Sequence, residues 1–199
     1  VFIFGKEKSW QYIKDAKCKA IVNSPQDADA IVLKSTLQKH TDLRISELIN
    51  YINKNTPCPI ICINPDQYVL GMNEQLIHVI GYYASIIEKQ TQVPIQWFGK
   101  PYENFSNMLK NLLTIQHKLT LDKRICFFDD NLENVINIKK HLNISAGWIT
   151  QTGIARFQNI EEEIKKHPIQ PDYIIPSLSI HEQLPIEQDT LQKTLFNIT

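Results

Sequence analysis

Glycine is scarce in this sequence, 6 of 199 residues, and long apolar runs are missing altogether. None approaches the roughly 20 residues that a helix needs to cross a bilayer, so no membrane partner is expected. A basic excess is missing as well. Lys and Arg total 21, Asp and Glu also total 21, and the formal net charge is zero. Neither a block of like charge nor an alternation of basic and aromatic residues stands out, which argues against a nucleic-acid partner. The opening Val1-Phe2-Ile3-Phe4-Gly5 is too short for a signal-peptide core and has no basic region before it. It begins inside an apolar strand without Met, which leads to the expectation of further sequence upstream.

Only 4 cysteines occur, Cys18, Cys58, Cys62 and Cys126. Cys58 and Cys62 share one face of an apolar strand, whereas a zinc site needs tighter pairs with histidines at ligand spacing. They read as reduced, partly buried thiols, and a cytoplasmic, reducing compartment follows as the expectation. The 6 histidines, His181 among them, are scattered. No Cys-His or Ser-His-Asp arrangement emerges from their spacing.

What is present is ordinary for a globular chain: 43% hydrophobic and 21% charged residues. The length allows one large domain or two small ones. Short apolar stretches bounded by polar residues predict strands at 1–4, 20–22, 30–33, 59–63, 95–98, 125–128, 147–150 and 173–175. Between them run helical stripes: Ile45, Leu48, Ile49 and Ile52; Leu76, Ile80, Tyr83 and Ile87; Phe105, Met108, Leu109 and Leu112. Strands alternating with amphipathic helices predict an α/β fold with parallel sheets. Pro94 marks the expected boundary between a smaller α/β unit and a core-like unit, with Val1 to Gly5 grouped with the latter.

Three segments carry chemistry. In Ile125-Cys126-Phe127-Phe128-Asp129-Asp130-Asn131 an apolar strand ends in two carboxylates and a helix starts at once. Ligands of open parallel sheets sit beyond the carboxyl ends of strands, and Mg²⁺ takes one or two carboxylates with waters and a phosphate oxygen. Helix capping by Asp130, with Asn131 beside it, is the plainer alternative, and it leaves Asp129 without a role. In Gly99-Lys100-Pro101 a lysine is held at a strand end, where a cation neutralises phosphate charge; a solvated lysine in a tight turn is the competing reading. Asn64-Pro65-Asp66 closes another strand with common turn chemistry.

The order of these pieces resembles the NagD-like (IIA) branch of haloacid-dehalogenase-type (HAD) phosphatases. Asn64-Pro65-Asp66, the helix around Gly81, Gly99-Lys100-Pro101 and Phe128-Asp129-Asp130-Asn131-Leu132 follow one another as in that family. Asp29-Ala30-Ile31-Val32, Gln151-Thr152-Gly153-Ile154 and the segment from Pro171 to Leu178 extend the likeness over essentially the whole chain. The resemblance implies a partial HAD Rossmann-like core with an inserted α/β cap. Residues 1–11 would be a core strand leading into the cap, 12–93 the cap, and 94–199 the C-terminal part of the core. It implies that Lys100 steadies the phosphorylated state, that Asp130 binds Mg²⁺, that Asn131 lies beside the phosphate, and that Asp66 reaches the substrate from the cap. The reaction would run through an aspartyl-phosphate.

Two features depart from the family pattern. Asp129 replaces the usual glycine and Val135 the usual second acid. Phe127-Phe128-Asp129-Asp130 with Asn134 four residues on resembles another HAD variant, in which paired aspartates and an asparagine do this work. Asp129 is therefore expected to join Asp130 at the metal. Asp27-Ala28-Asp29 is the one Asp-x-Asp in the sequence. It precedes a strand instead of ending one, after a turn at Asn23-Ser24-Pro25-Gln26, and does not fit the nucleophile. The expectation is a Mg²⁺-dependent phosphatase of a small phosphorylated metabolite, seen here as a fragment without its nucleophile and inactive alone. A homo-oligomer formed through the cap is the further partner in view. The rival is a catalytically inactive HAD relative that binds a phosphorylated ligand or a protein, and a scaffolding fragment would bind no Mg²⁺ at Asp130.

Overall fold

Apolar triplets separated by polar turns lack the length for helices, and in the computed structural model they pair as parallel strands. The structure describes residues 1–6, 18–37, 39–55, 58–71 and 73–178. Residues 7–17, where the cap was expected to begin, and His181 lie outside them. The chain divides into two compact units, Val1–Lys118 and Leu119–Thr199.

The first unit contains β1 (Phe2–Phe4), β2 (Ile31–Leu33), β3 (Ile60–Cys62), a hairpin of β4 (Tyr68–Leu70) and β5 (Leu76–His78), and β6 (Ile95–Trp97). Strands β1, β2, β3 and β6 form one parallel sheet in that order. Their last residues are in register, Phe4 with Leu33, Leu33 with Cys62, and Cys62 with Trp97. The loops that follow them therefore leave from a single edge. Helix α1 (Thr41–Lys54) buries the predicted stripe Ile45, Leu48, Ile49 and Ile52. Helix α2 (Ile80–Thr91) buries Ile80, Gly81, Ala84 and Ile87. Both stripes pack with Ile31, Leu33, Ile60 and Cys62 in one core, the arrangement that removes an amphipathic face from water.

Four expectations are corrected here. Val1 to Phe4 does not stand with the later residues as a core strand, because β1 pairs with β2. The boundary does not fall at Pro94, because β6 directly after it pairs with β3; the division comes after Lys118. Residues 20–22 supply only an isolated bridge from Val22 to Phe2, since Pro25 opens a 3-10 turn at Pro25–Asp27 capped by Ser24. Leu76 is not on the α2 stripe: it pairs with Leu70 in the hairpin, and the chain stays extended until Val79. The third stripe does form a helix, α3 (Glu103–Asn111), running into a π-turn at Leu112–Gln116, yet Met108 is 56% exposed.

The second unit is a three-stranded parallel sheet of β7 (Cys126–Asp129), β8 (Ser145–Ile149) and β9 (Tyr173–Ile175), with β8 in the middle. All five residues of β8 are buried, as a central parallel strand covered on both faces requires. Helix α4 (Leu132–His141) places Leu132 and Val135 against Ala146, Trp148 and Ala155. Its last turn carries Lys139, Lys140 and His141, cations that complement the helix dipole. A short helix α5 (Ile160–Lys165) follows, its first turn capped by the Asn159 side chain. No helix among the described residues is long and apolar enough to cross a membrane.

Candidate functional site

Each unit gathers its chemistry at the carboxyl edge of its sheet. In the first unit β3 and β6 are neighbours and end together, so the two predicted turns lie side by side. Phe98 N–H donates to the Cys62 carbonyl at 2.8 Å and continues the ladder by one step. Gly99 then turns with φ 117°, and a Cβ there would come within 2.7 Å of Pro65 Cδ. Only glycine lets the Lys100 turn approach Asn64-Pro65-Asp66 this closely. Asp66 N–H points to Asn64 Oδ1 at 3.4 Å, a long contact within that turn.

Asn104, on the first turn of α3, holds both ends of the other turn. Its amide nitrogen donates to the Trp97 carbonyl at 2.5 Å, and its oxygen accepts from Gly99 N–H at 3.3 Å. Sequence reasoning overlooked Asn104; the signal was an asparagine five residues after a strand-end glycine, where a side chain can bridge the turn. Pro101 sits before the N-cap Tyr102, two residues ahead of the first helical residue Glu103. The two turns and α3 enclose a cavity of about 590 Å³ in which Asp66 and Lys100 face Phe98, Phe105 and Met108. Asp66 and Lys100, each singled out separately from the sequence, line one cavity.

In the second unit Asp129, Asp130 and Asn131 occupy one turn between β7 and α4. The capping expectation is corrected by one residue: Asn131, not Asp130, is the N-cap, and its Oδ1 accepts from Glu133 N–H at 3.0 Å. Asp129 is 8% exposed, and its Oδ1 accepts from Asn131 N–H and from Asn134 Nδ2, both at 2.9 Å. It therefore has a structural role that capping alone did not foresee. Asp130 turns toward the loop after β8. Its Oδ2 accepts from Ile154 N–H at 3.0 Å, and Trp148 Nε1 donates to its carbonyl at 3.1 Å. Gly153 has φ 52°, and a Cβ there would overlap the Asp130 carboxylate. Gly153, Ile154 and Trp148 escaped the sequence reading as parts of this site, whereas Asn134 was expected there together with the paired aspartates.

Two thiols, Cys62 and Cys126, are poor nucleophiles. Burial pushes both Cys62 and Cys126 up to about 11, so neither is a thiolate near neutrality. Among the described residues no three His, Cys, Asp or Glu side chains converge to hold a metal. Mg²⁺ keeps several of its waters and is bound through one or two carboxylates and substrate phosphate. Asp130, at a strand end and fixed through one oxygen, fits that demand.

No protein-family model matches the sequence, and no curated protein matches it. Solved structures do match in fold. A possible sugar phosphatase of the HAD superfamily from Cytophaga hutchinsonii superposes with a TM-score of 0.73 at 22% identity, over 90% of this chain and 64% of its own. A p-nitrophenyl phosphatase from Archaeoglobus fulgidus gives 0.65 at 20% identity, over 88% of this chain and 63% of its own. A mutant of the thermostable p-nitrophenylphosphatase from Bacillus stearothermophilus gives 0.57 at 18% identity, over 92% and 66%. The chain spans less than two thirds of the length of each. Parallel sheets in this order, turns at their carboxyl edges and these neighbours agree: the chain has the fold of HAD-superfamily phosphatases.

Proposed function

We propose that this chain supplies the cation- and phosphate-binding parts of a Mg²⁺-dependent phosphomonoester hydrolase that acts on a small phosphorylated metabolite. The observation that carries the reading is Asp130, at the end of a parallel strand, whose carboxylate accepts from Ile154 N–H and whose backbone carbonyl accepts from Trp148 Nε1. A group fixed in this way loses little on binding a ligand. Bound there, Mg²⁺ would offset the negative charge that gathers on a transferred phosphoryl group. Asn131 spends its carbonyl oxygen on the cap, which leaves its NH₂ to donate to a phosphate oxygen. At the carboxyl edge of the first sheet, Lys100 supplies a compact positive charge and Asp66 an acceptor for hydroxyl or amine groups of a metabolite.

The nucleophilic carboxylate that the reaction needs is not assigned to any residue of this chain. Asp27 and Asp29 lie on and after a 3-10 turn that leads into β2, away from any strand end. The expected result with the purified chain, Mg²⁺ and p-nitrophenyl phosphate is therefore no turnover. Binding of Mn²⁺, used as a stand-in for Mg²⁺, should be seen by loss of its free EPR signal and should disappear in Asp130→Asn. Absence of Mn²⁺ binding to the wild-type chain would refute the reading. Turnover that survives Asp27→Asn would show a nucleophile elsewhere in the chain.

One observation favours the inactive-relative reading: Val135, where the family usually has a second acid, is 0% exposed within the apolar core. Such a protein would bind the cation and inorganic phosphate yet never hydrolyse an ester. Neither reading expects turnover from this chain alone, so a coding sequence upstream of Val1 that contains a strand ending in Asp-x-Asp separates the two.

A further inference from the structure

The two adjacent carboxylates at the end of β7 are held in different ways. We propose that Asp129 is not a cation ligand but a positioning residue, locked by Asn134, whose task is to shape the turn that presents Asp130. This inference rests on the reading of Asp130 as the cation ligand.

Three observations converge. Asp129 is buried, and its Oδ1 takes both a backbone and a side-chain donor, Asn131 N–H and Asn134 Nδ2, at 2.9 Å each. The first bond ties the strand end to the residue that caps α4, and the second ties it to the first turn of that helix, so the turn is fixed from both ends. Asn134 itself is 2% exposed and shares its helix with the apolar Leu132, Val135 and Ile138. Its Oδ1 has no hydrogen-bond partner among the described residues. An unsatisfied buried acceptor is costly. A helix position that would accept an apolar residue instead carries an amide whose one paired end points at Asp129. The donor is what this position provides. Asp130, by contrast, is anchored from the loop after β8 through Ile154 N–H and is only half-buried.

A carboxylate used as a hydrogen-bond acceptor and one used as a metal ligand respond differently to amidation. Asparagine keeps an oxygen that can accept both bonds but removes the charge. Mn²⁺ affinity of the purified chain, read by EPR, should fall only about threefold in Asp129→Asn, the modest effect of losing a nearby charge that does not touch the ion. In Asp129→Ala and in Asn134→Ala it should fall at least about tenfold, because the turn loses its fixed shape. The double variant should be little worse than either single one, since both break the same bond. Asp129→Asn falling as far as Asp129→Ala would overturn the proposal and make Asp129 a ligand.

A metal-free measurement separates this inference from the reading beneath it. Hydrogen exchange of the Asn131 amide should quicken at least about tenfold in Asp129→Ala and Asn134→Ala and stay near wild type in Asp129→Asn. If Asp130→Asn leaves Mn²⁺ binding intact, the cation site is wrong while this pattern of exchange still upholds the role of Asp129. Unchanged exchange in Asn134→Ala would reject the role whatever the metal does. Should Asp129→Ala fail to fold, Asn134→Ala decides both measurements.

Discussion

The two units close their strand ends by opposite means. At the carboxyl edge of the first sheet, the turns after β3 and β6 are fixed mainly by backbone proximity, Gly99 against Pro65, and by one bridging side chain, Asn104. Their charged groups line an open cavity walled by Phe98, Phe105 and Met108. At the edge of the second sheet the turn after β7 is tied by its own side chains, Asp129 to Asn131 and Asn134, and Asp130 to Ile154. The first edge offers room and adaptable apolar surface, which suits a variable organic group. The second offers one carboxylate in a set place, which suits a cation and a phosphate. Under the proposed function, this difference in hydrogen bonding becomes a difference in what each edge recognises.

The largest effect expected from a single change tests the second edge. Gly153→Ala forces a left-handed backbone on a residue with a side chain and drives its Cβ into the Asp130 carboxylate. A loss of about 3 kcal/mol in denaturant unfolding is expected, together with loss of Mn²⁺ binding. Retention of both would show that the Asp130 turn is soft and would erase the contrast between the edges. A smaller effect is expected at the first edge. Gly99→Ala brings a Cβ within 2.7 Å of Pro65 Cδ, a milder overlap than at Gly153, and about 1–2 kcal/mol of stability should be lost. Inorganic phosphate binding should weaken with it, because Lys100 shifts, while Mn²⁺ binding stays unchanged.

The smallest effect concerns a contact that ties α4 to β9 beneath the second edge. Asp172 accepts from Lys139 Nζ at 2.7 Å and from Ala146 N–H at 2.9 Å. Burial on its own would raise the Asp172 carboxyl. The Lys139 hydrogen bond, that of Ala146 and the charges of Lys139 and Lys123 outweigh it and hold the group below its ordinary value. A carboxyl lowered by folding stabilises the native state in full above the unfolded value of about 3.9. That contribution is lost as the pH falls through the lower folded value. Asp172→Asn should cost about 1 kcal/mol near neutrality, and its unfolding curve should approach that of the wild type in acid. A difference that persists at acid pH would assign the effect to packing instead.

Much of this was legible from residue order. The α1 stripe from Ile45 to Ile52, the strands at 31–33, 60–62 and 126–129, and the acidic end of β7 all follow from local periodicity and composition. The hairpin of β4 and β5 was not legible, because Leu76 and Ile80 also satisfy helical spacing and only pairing with residues 68–70 decides between them. The boundary was misplaced for a similar reason. Pro94 looks like a break, yet whether β6 belongs before or after it depends on its ladder with β3.

By itself the sequence determined the chemistry at hand: which strands end in carboxylate, amide or lysine, and that an α/β arrangement must bury the apolar stripes. Those are local properties, set by side-chain type and spacing along the chain. The tertiary structure alone decided how adjacent residues divide their labour. Asp129 and Asp130 are chemically identical neighbours, but Asp129 closes β7 and Asp130 is the first residue of the turn after it. One therefore meets the amide of Asn134 inside, and the other meets the backbone of Ile154, brought from 24 residues away by the β8 loop.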